Sequence, residues 1–115
     1  MPYLKVETNQ SLDDDQKAIL LREASTLIAR ELNKPESMIM IALHPGVAMA
    51  FGGTDGPVAY LELKSIGLPG EKTKALSKVL CTLVETHLRI PPERIYIKFM
   101  DIQRSMWGWR GDTFA

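Results

Sequence analysis

Cysteine is nearly missing from this chain. Cys81 is the only one among 115 residues, so no intrachain disulfide can form, and a reducing, cytoplasmic setting is expected. An excess of one charge is missing too: 14 Lys and Arg balance 14 Asp and Glu. A nucleic-acid binder normally shows a basic excess, so that class is set aside. No apolar run reaches the roughly 20 residues a membrane-spanning helix needs. The most apolar region, Met38 to Gly53, is broken by His44-Pro45-Gly46. The opening stretch Met1-Pro2-Tyr3-Leu4-Lys5-Val6-Glu7 carries charge where a secretory signal needs its apolar segment, although secretion without such a signal stays open. There is no glycine-rich phosphate loop, no nucleophile elbow and no cysteine pair. His44 and His87 lack metal-ligand spacing, so no metal site is expected. The tripeptide Arg110-Gly111-Asp112 matches an adhesion signal, but three residues recur by chance.

What is present is a globular composition, 45% apolar and 24% charged, that suits one domain over residues 1–115. Pro2 to Thr8 alternates as a strand does, with Leu4 and Val6 on one side. Ser11, with Asp14 three residues on, offers a helix cap, and Leu20, Ala24, Leu27, Ile28 and Leu32 follow at helical spacing. Asn33-Lys34-Pro35 ends that helix. Met38 to Leu43 reads as a buried strand. The order then repeats: Val58 to Lys64 as a strand, a turn through Ser65–Gly70, a helix carrying Leu76, Leu80, Leu83, Val84 and Leu88, a stop at Pro91-Pro92, and a strand with Ile95, Ile97 and Phe99 on one side. A Pro-Glu pair, Pro35-Glu36 and Pro92-Glu93, precedes the returning strand in each half. These features predict an α/β (α+β) fold of duplicated βαβ units. Its four-stranded mixed sheet would carry both helices on one face. The other face is expected to hold Leu, Ile, Val and Met and to need a cover, which points to an oligomer.

The start of the chain is its one unusual feature, although many proteins have a small second residue. Pro2 follows the initiator Met1, and a small second residue permits removal of that methionine. The new terminus would be a secondary amine. Read with Lys34-Pro35, Met49-Ala50-Phe51-Gly52-Gly53, Ser65-Ile66-Gly67, Arg94-Ile95-Tyr96-Ile97, Gly108-Trp109 and the closing Thr113-Phe114-Ala115, the chain resembles the macrophage migration inhibitory factor family of the tautomerase superfamily.

The resemblance implies a homotrimer with each site between neighbouring subunits, keto–enol isomerisation of phenylpyruvate-like aromatic keto acids, and no cofactor. It assigns Pro2 as the catalytic base and acid, Lys34 as a carboxylate-binding lysine and Ile66 as a backbone N–H contact. It assigns Tyr96 as a tyrosine supplied by the neighbouring subunit and Trp109 and Phe114 as parts of the apolar rim. Lys98 stands where the best-known members have asparagine, and Trp107 where they have valine. An extra cation beside Pro2 and a bulkier mouth are therefore expected, favouring phenylpyruvate over larger dopachrome-type substrates. Val58 and Leu61 stand where vertebrate members place a cysteine pair, so thiol-oxidoreductase activity is not expected. An ordinary terminal amine has a pKa of about 8. Lys34 and Lys98, with Trp107 and Trp109, would disfavour its protonated form and bring it towards neutrality, where a proton-transfer base works best. Two other readings compete with the isomerase: a signalling or small-ligand-binding protein on the same trimer, and a regulatory βαβ domain that shares the fold but not the site.

Overall fold

A computed structural model describes residues Met1–Ala115. Strand β1 (Tyr3–Thr8) leads to helix α1 (Asp14–Leu32) and strand β2 (Met40–His44); β3 (Ala59–Ile66) leads to α2 (Thr73–Leu88) and β4 (Ile95–Ile102). The sheet order is β2-β1-β3-β4. The β1–β2 and β3–β4 pairs are parallel, whereas β1–β3 is antiparallel. The two βαβ units therefore join through the antiparallel centre of a mixed sheet.

One face of that sheet is closed by the helices. Leu4 and Val6 of β1 and Leu61 and Leu63 of β3 meet Leu20, Ala24 and Ile28 of α1 and Leu76, Leu80 and Val84 of α2 in a single core of 16 buried residues. Period two in the strands and period 3.6 in the helices bring these positions to one layer. Cys81 packs against that core. Burial pushes its thiol pKa up, and the Glu85 charge adds to the shift, so the protonated form is favoured.

Three local features differ from the sequence reading. The α1 cap is Asp13, not Ser11. Gln16 N donates to Asp13 Oδ1 at 2.7 Å, and Asp13 N donates to Gln16 Oε1 at 2.9 Å. That reciprocal pair needs a Glu or Gln three residues past the cap, which Ser11 lacks and Asp13 has. Met38 does not begin a strand: it ends a one-turn 3-10 helix, Glu36–Met38, and β2 starts at Met40. Finally, the two halves match one residue away from the Pro-Glu alignment. Asn33 and Arg89 each end their helix with a left-handed backbone, φ 53° and 56°, and Pro35 and Pro91 each follow two residues later. Pro35 thus corresponds to Pro91.

The helix-free face is less apolar than its strands suggested. Alternation sends the Leu and Val side chains to the core and leaves Lys5, Glu7, Tyr60, Glu62, Lys64 and Lys98 on the open side. Glu62 accepts ion pairs from Lys5 and Lys64, each at 3.6 Å. Apolar side chains on this face gather at one end, where Met40, Ile66, Met100 and Ile102 lie near the N-terminus. Large exposed apolar groups mark both edge strands: Met40 on β2 and Tyr96 on β4 are each 65% exposed.

The Tyr60 hydroxyl donates to Glu62 Oε2 at 2.7 Å. This bond pushes the Tyr60 pKa up to about 12, with burial and the Glu62 and Glu7 charges adding to the rise. The same bond holds Glu62 below its usual range, helped by Lys5 and Lys64 against the opposing effect of burial. The signs differ at the two ends of the pH scale. The Glu62 contribution to stability is present above the ordinary carboxylate value of about 4.3 and is lost as acid protonates it. The Tyr60 contribution is present below about pH 10 and is lost as pH rises towards the folded value. Spectrophotometric titration of the folded protein should show one tyrosine ionising at about 12. That step should vanish in Tyr60→Phe; its persistence would show that another tyrosine carries it.

Candidate functional site

Pro2 sits immediately before β1, and its backbone is fixed by the sheet. Its carbonyl accepts the Met40 N–H at 3.1 Å, which continues the β1–β2 ladder by one residue. Its ring is fully buried. Proline suits this place, because its fixed φ extends the strand and the position asks for an acceptor only.

The N-terminus opens into a cavity of about 720 Å³. Its walls come from three places. The turn into β2 gives Met38 and Met40; the far end of β4 gives Met100 and Ile102; the C-terminal segment gives Met106, Trp107, Trp109 and Phe114. Five of the chain's six methionines, Met1 among them, line this one space. Unbranched thioether side chains make a wall that adapts to the shape of what it holds. Lys64 is the only charged side chain among the lining residues.

The C-terminal wall is built from a short hairpin. Strands β5 (Gly108–Trp109) and β6 (Asp112–Thr113) pair across Arg110-Gly111, both with positive φ, 56° and 76°. This is the turn geometry that suits a two-residue hairpin, and it accounts for the Arg-Gly-Asp order in structural terms. Trp109 stacks on Phe114 with ring centroids 5.6 Å apart, and the Arg110 guanidinium lies 5.3 Å from the Trp109 ring. Phe114 N donates to the Trp107 carbonyl at 3.2 Å, and Arg104 Nε donates to the Phe114 carbonyl at 2.7 Å.

Lys34 and Ile66 line a second, more polar cleft of about 580 Å³ with Gly67, Asp101, Gln103 and Arg104. Ile102 lines both spaces. Lys34 is close enough for its charge to be felt at the chain terminus. Burial holds the Met1 α-amine below its ordinary pKa, and the Lys34 ammonium lowers it further.

Of the residues expected from the sequence, Pro2, Trp107 and Trp109 share the larger cavity, and Lys34 and Ile66 share the adjoining cleft. Tyr96 and Lys98 do not join them within one protomer. They lie on β4 in the rows of Glu7 and Lys5, two strands across from β1. Strand spacing puts their backbones on the order of 20 Å and 14 Å from Pro2. Tyr96 instead meets Phe51 edge-on, with centroids 4.8 Å apart. The cation that does stand in the Pro2 cavity is Lys64, which pairs with Tyr3 in register and lies 6.0 Å from the Tyr3 ring. Sequence reasoning missed it, although strand alternation places Lys64 on the same face as Tyr3 once the antiparallel register is known. Arg104 was missed as well, and it follows β4 in a 3-10 turn that carries no periodic signal.

The comparisons with known proteins extend along the whole chain. The family model described as macrophage migration inhibitory factor matches residues 1–115. A macrophage migration inhibitory factor homolog of Brugia malayi is 40% identical over 116 aligned positions that cover 100% of each chain. Macrophage migration inhibitory factor of Xenopus tropicalis is 37% identical with the same full coverage. The crystal structure of the homologue from Prochlorococcus marinus has a TM-score of 0.93 and 39% identity, over 98% of this chain and 99% of that one. No helix is long and apolar enough to cross a membrane. On sequence along its full length and on the shape of its mixed sheet, the chain belongs to the macrophage migration inhibitory factor family.

Proposed function

We propose that the protein is a cofactor-independent keto–enol tautomerase acting on phenylpyruvate-like keto acids, with the Pro2 nitrogen as base and acid once Met1 is removed. The observation that carries this reading is the place of the N-terminus: half-buried Met1 and buried Pro2 line an apolar cavity, and the Lys34 charge is felt at the terminal amine. While Met1 is attached, the Pro2 nitrogen is a tertiary amide with no basic lone pair. Removal of Met1 turns it into a secondary amine in the same surroundings. The burial and the Lys34 charge that lower the pKa of the Met1 α-amine would act in the same direction on it and disfavour its protonated form.

The neutral nitrogen takes a proton from the carbon next to the substrate carbonyl. The protonated nitrogen then returns it at the other position, so the cycle closes without a net change in the protein. Lys34 holds the carboxylate, the backbone at Ile66 helps to orient it, and the aromatic part enters the methionine- and tryptophan-lined space. Trp107 narrows the mouth and favours phenylpyruvate over bulkier substrates.

The reading includes a homotrimer in which Tyr96 and Lys98 reach the site of the adjacent copy. Exposed apolar groups on both edge strands, Met40 and Tyr96, support a head-to-tail contact that closes into a ring. Light scattering that gave a monomer mass at micromolar concentration would contradict it. A cytoplasmic setting is part of the same reading and rests on the lone free thiol. The test of function is a phenylpyruvate enol–keto assay on protein whose intact mass lacks methionine. Turnover should be readily measured; its absence in a folded, methionine-free sample would overturn the assignment.

A further inference from the structure

The polar cleft beside the Pro2 cavity holds two cations without a carboxylate partner. Neither Lys34 nor Arg104 takes part in any ion pair within the protein. Asp101, the one acidic group in the cleft, is engaged elsewhere: its Oδ1 accepts the Leu68 N–H at 3.1 Å. Arg104 is held in place by one bond only, from Nε to the Phe114 carbonyl at 2.7 Å. Its two terminal nitrogens are left free, on a guanidinium anchored to the same C-terminal segment that walls the apolar cavity.

We propose that Arg104 is a second carboxylate anchor, acting with Lys34 to select anionic over neutral carbonyl substrates. A guanidinium offers planar, paired N–H donors that match the two oxygens of a carboxylate, whereas an ammonium supplies a point charge. Ile102 lines both cavities, so they lie on either side of one residue. A ligand with its carboxylate between Lys34 and Arg104 and its apolar tail among the methionines and tryptophans would span Ile102, with its reacting carbon towards the cavity that Met1 and Pro2 line. The substrate class is a keto acid whose carboxylate is borne on the carbonyl carbon, the reacting carbon's own attachment point, and whose tail is aromatic or aliphatic. The inference rests on the tautomerase reading for the reaction, but carboxylate selection is a binding property and is measured separately.

Both tryptophans of the chain, Trp107 and Trp109, line the cavity, so intrinsic fluorescence reports on its occupancy. The experiment titrates hydrocinnamate, which cannot tautomerise, and its methyl ester into the wild-type protein and into Arg104→Gln, with the phenylpyruvate assay run alongside. Hydrocinnamate affinity should fall about five- to twentyfold in Arg104→Gln, the range expected for one charge-assisted contact in a partly wet cleft. Ester affinity should stay the same, and KM for phenylpyruvate should rise by a similar factor with kcat little changed. An equal loss for acid and ester would show that Arg104 only holds the C-terminal segment through Phe114, and would overturn the proposal. Unchanged affinity for both would overturn it too. Wild-type protein that binds hydrocinnamate in this way but turns over no phenylpyruvate would refute the tautomerase reading and leave the anchor standing.

Discussion

Replacing Pro2 with glycine should lower kcat/KM for phenylpyruvate by about ten- to a hundredfold, with the oligomeric state unchanged. Glycine is also small enough to permit removal of Met1, so the variant presents a terminal amine in the same place. Two things differ. The amine is primary, and its orientation is no longer fixed by a buried ring. In the wild type the ring locks φ, and the Pro2 carbonyl is tied to Met40 N at 3.1 Å, so the nitrogen is aimed by covalent geometry. A freely rotating glycine spends less time in the reactive orientation. Activity equal to that of the wild type would show that the reacting base lies elsewhere.

The second large effect is structural. Arg94 donates to four backbone carbonyls of one loop: from Nε to Pro57 at 2.7 Å, from Nη1 to Phe51 at 3.1 Å, and from Nη2 to Thr54 at 3.3 Å and Gly56 at 3.2 Å. Its guanidinium also lies 5.4 Å from the Phe51 ring, which in turn packs on Tyr96. Asn9, just past the end of β1, secures the same loop, donating to the carbonyls of Asp55 and Gly56 and accepting from Val58 N. Arg94→Gln leaves most of those carbonyls to water and frees the Phe51 ring. With partial exposure allowed for, a loss of about 2–3 kcal/mol is expected. For a chain of this size that lowers Tm by about 8–12 °C. Because Tyr96 rests on Phe51, the variant should also lose activity when assayed well below its melting point. A shift in Tm of a degree or two would show that the loop holds without the guanidinium.

Much of this architecture is legible in the residues. The paired βαβ order follows from strand alternation, two helical stripes and the prolines that end each helix. Both helices share a face because the core residues of the two central strands pair in register, Leu4 with Leu63 and Val6 with Leu61, and so point to one side. The character of the opposite face was harder to read. Composition of a whole strand says nothing of which parity faces out, and it is Lys5, Glu62 and Lys64 that do. The first cap was misplaced because Ser11 and Asp13 are both good caps in isolation, and the deciding partner is Gln16.

For the site, the N-terminal proline and its lysine were visible as a family pattern. The methionine lining was not, since Met1, Met38, Met40, Met100 and Met106 come from distant parts of the chain and converge only in space. The place of Lys98 shows the same limit. Its match to the family's asparagine suggests a neighbour of the pocket, whereas the β3–β4 register sets it opposite Glu62, away from the Pro2 of its own protomer.

The most direct test of the account compares two samples of the unmutated sequence, one retaining Met1 and one without it, each verified by intact mass. The reacting group in this account is the free Pro2 nitrogen. The methionine-free protein should tautomerise phenylpyruvate, and the methionine-bearing protein should be at least about a hundredfold slower, since general-base catalysis of this kind contributes on that scale. Equal rates in the two samples would contradict it, because an amide nitrogen cannot take the proton.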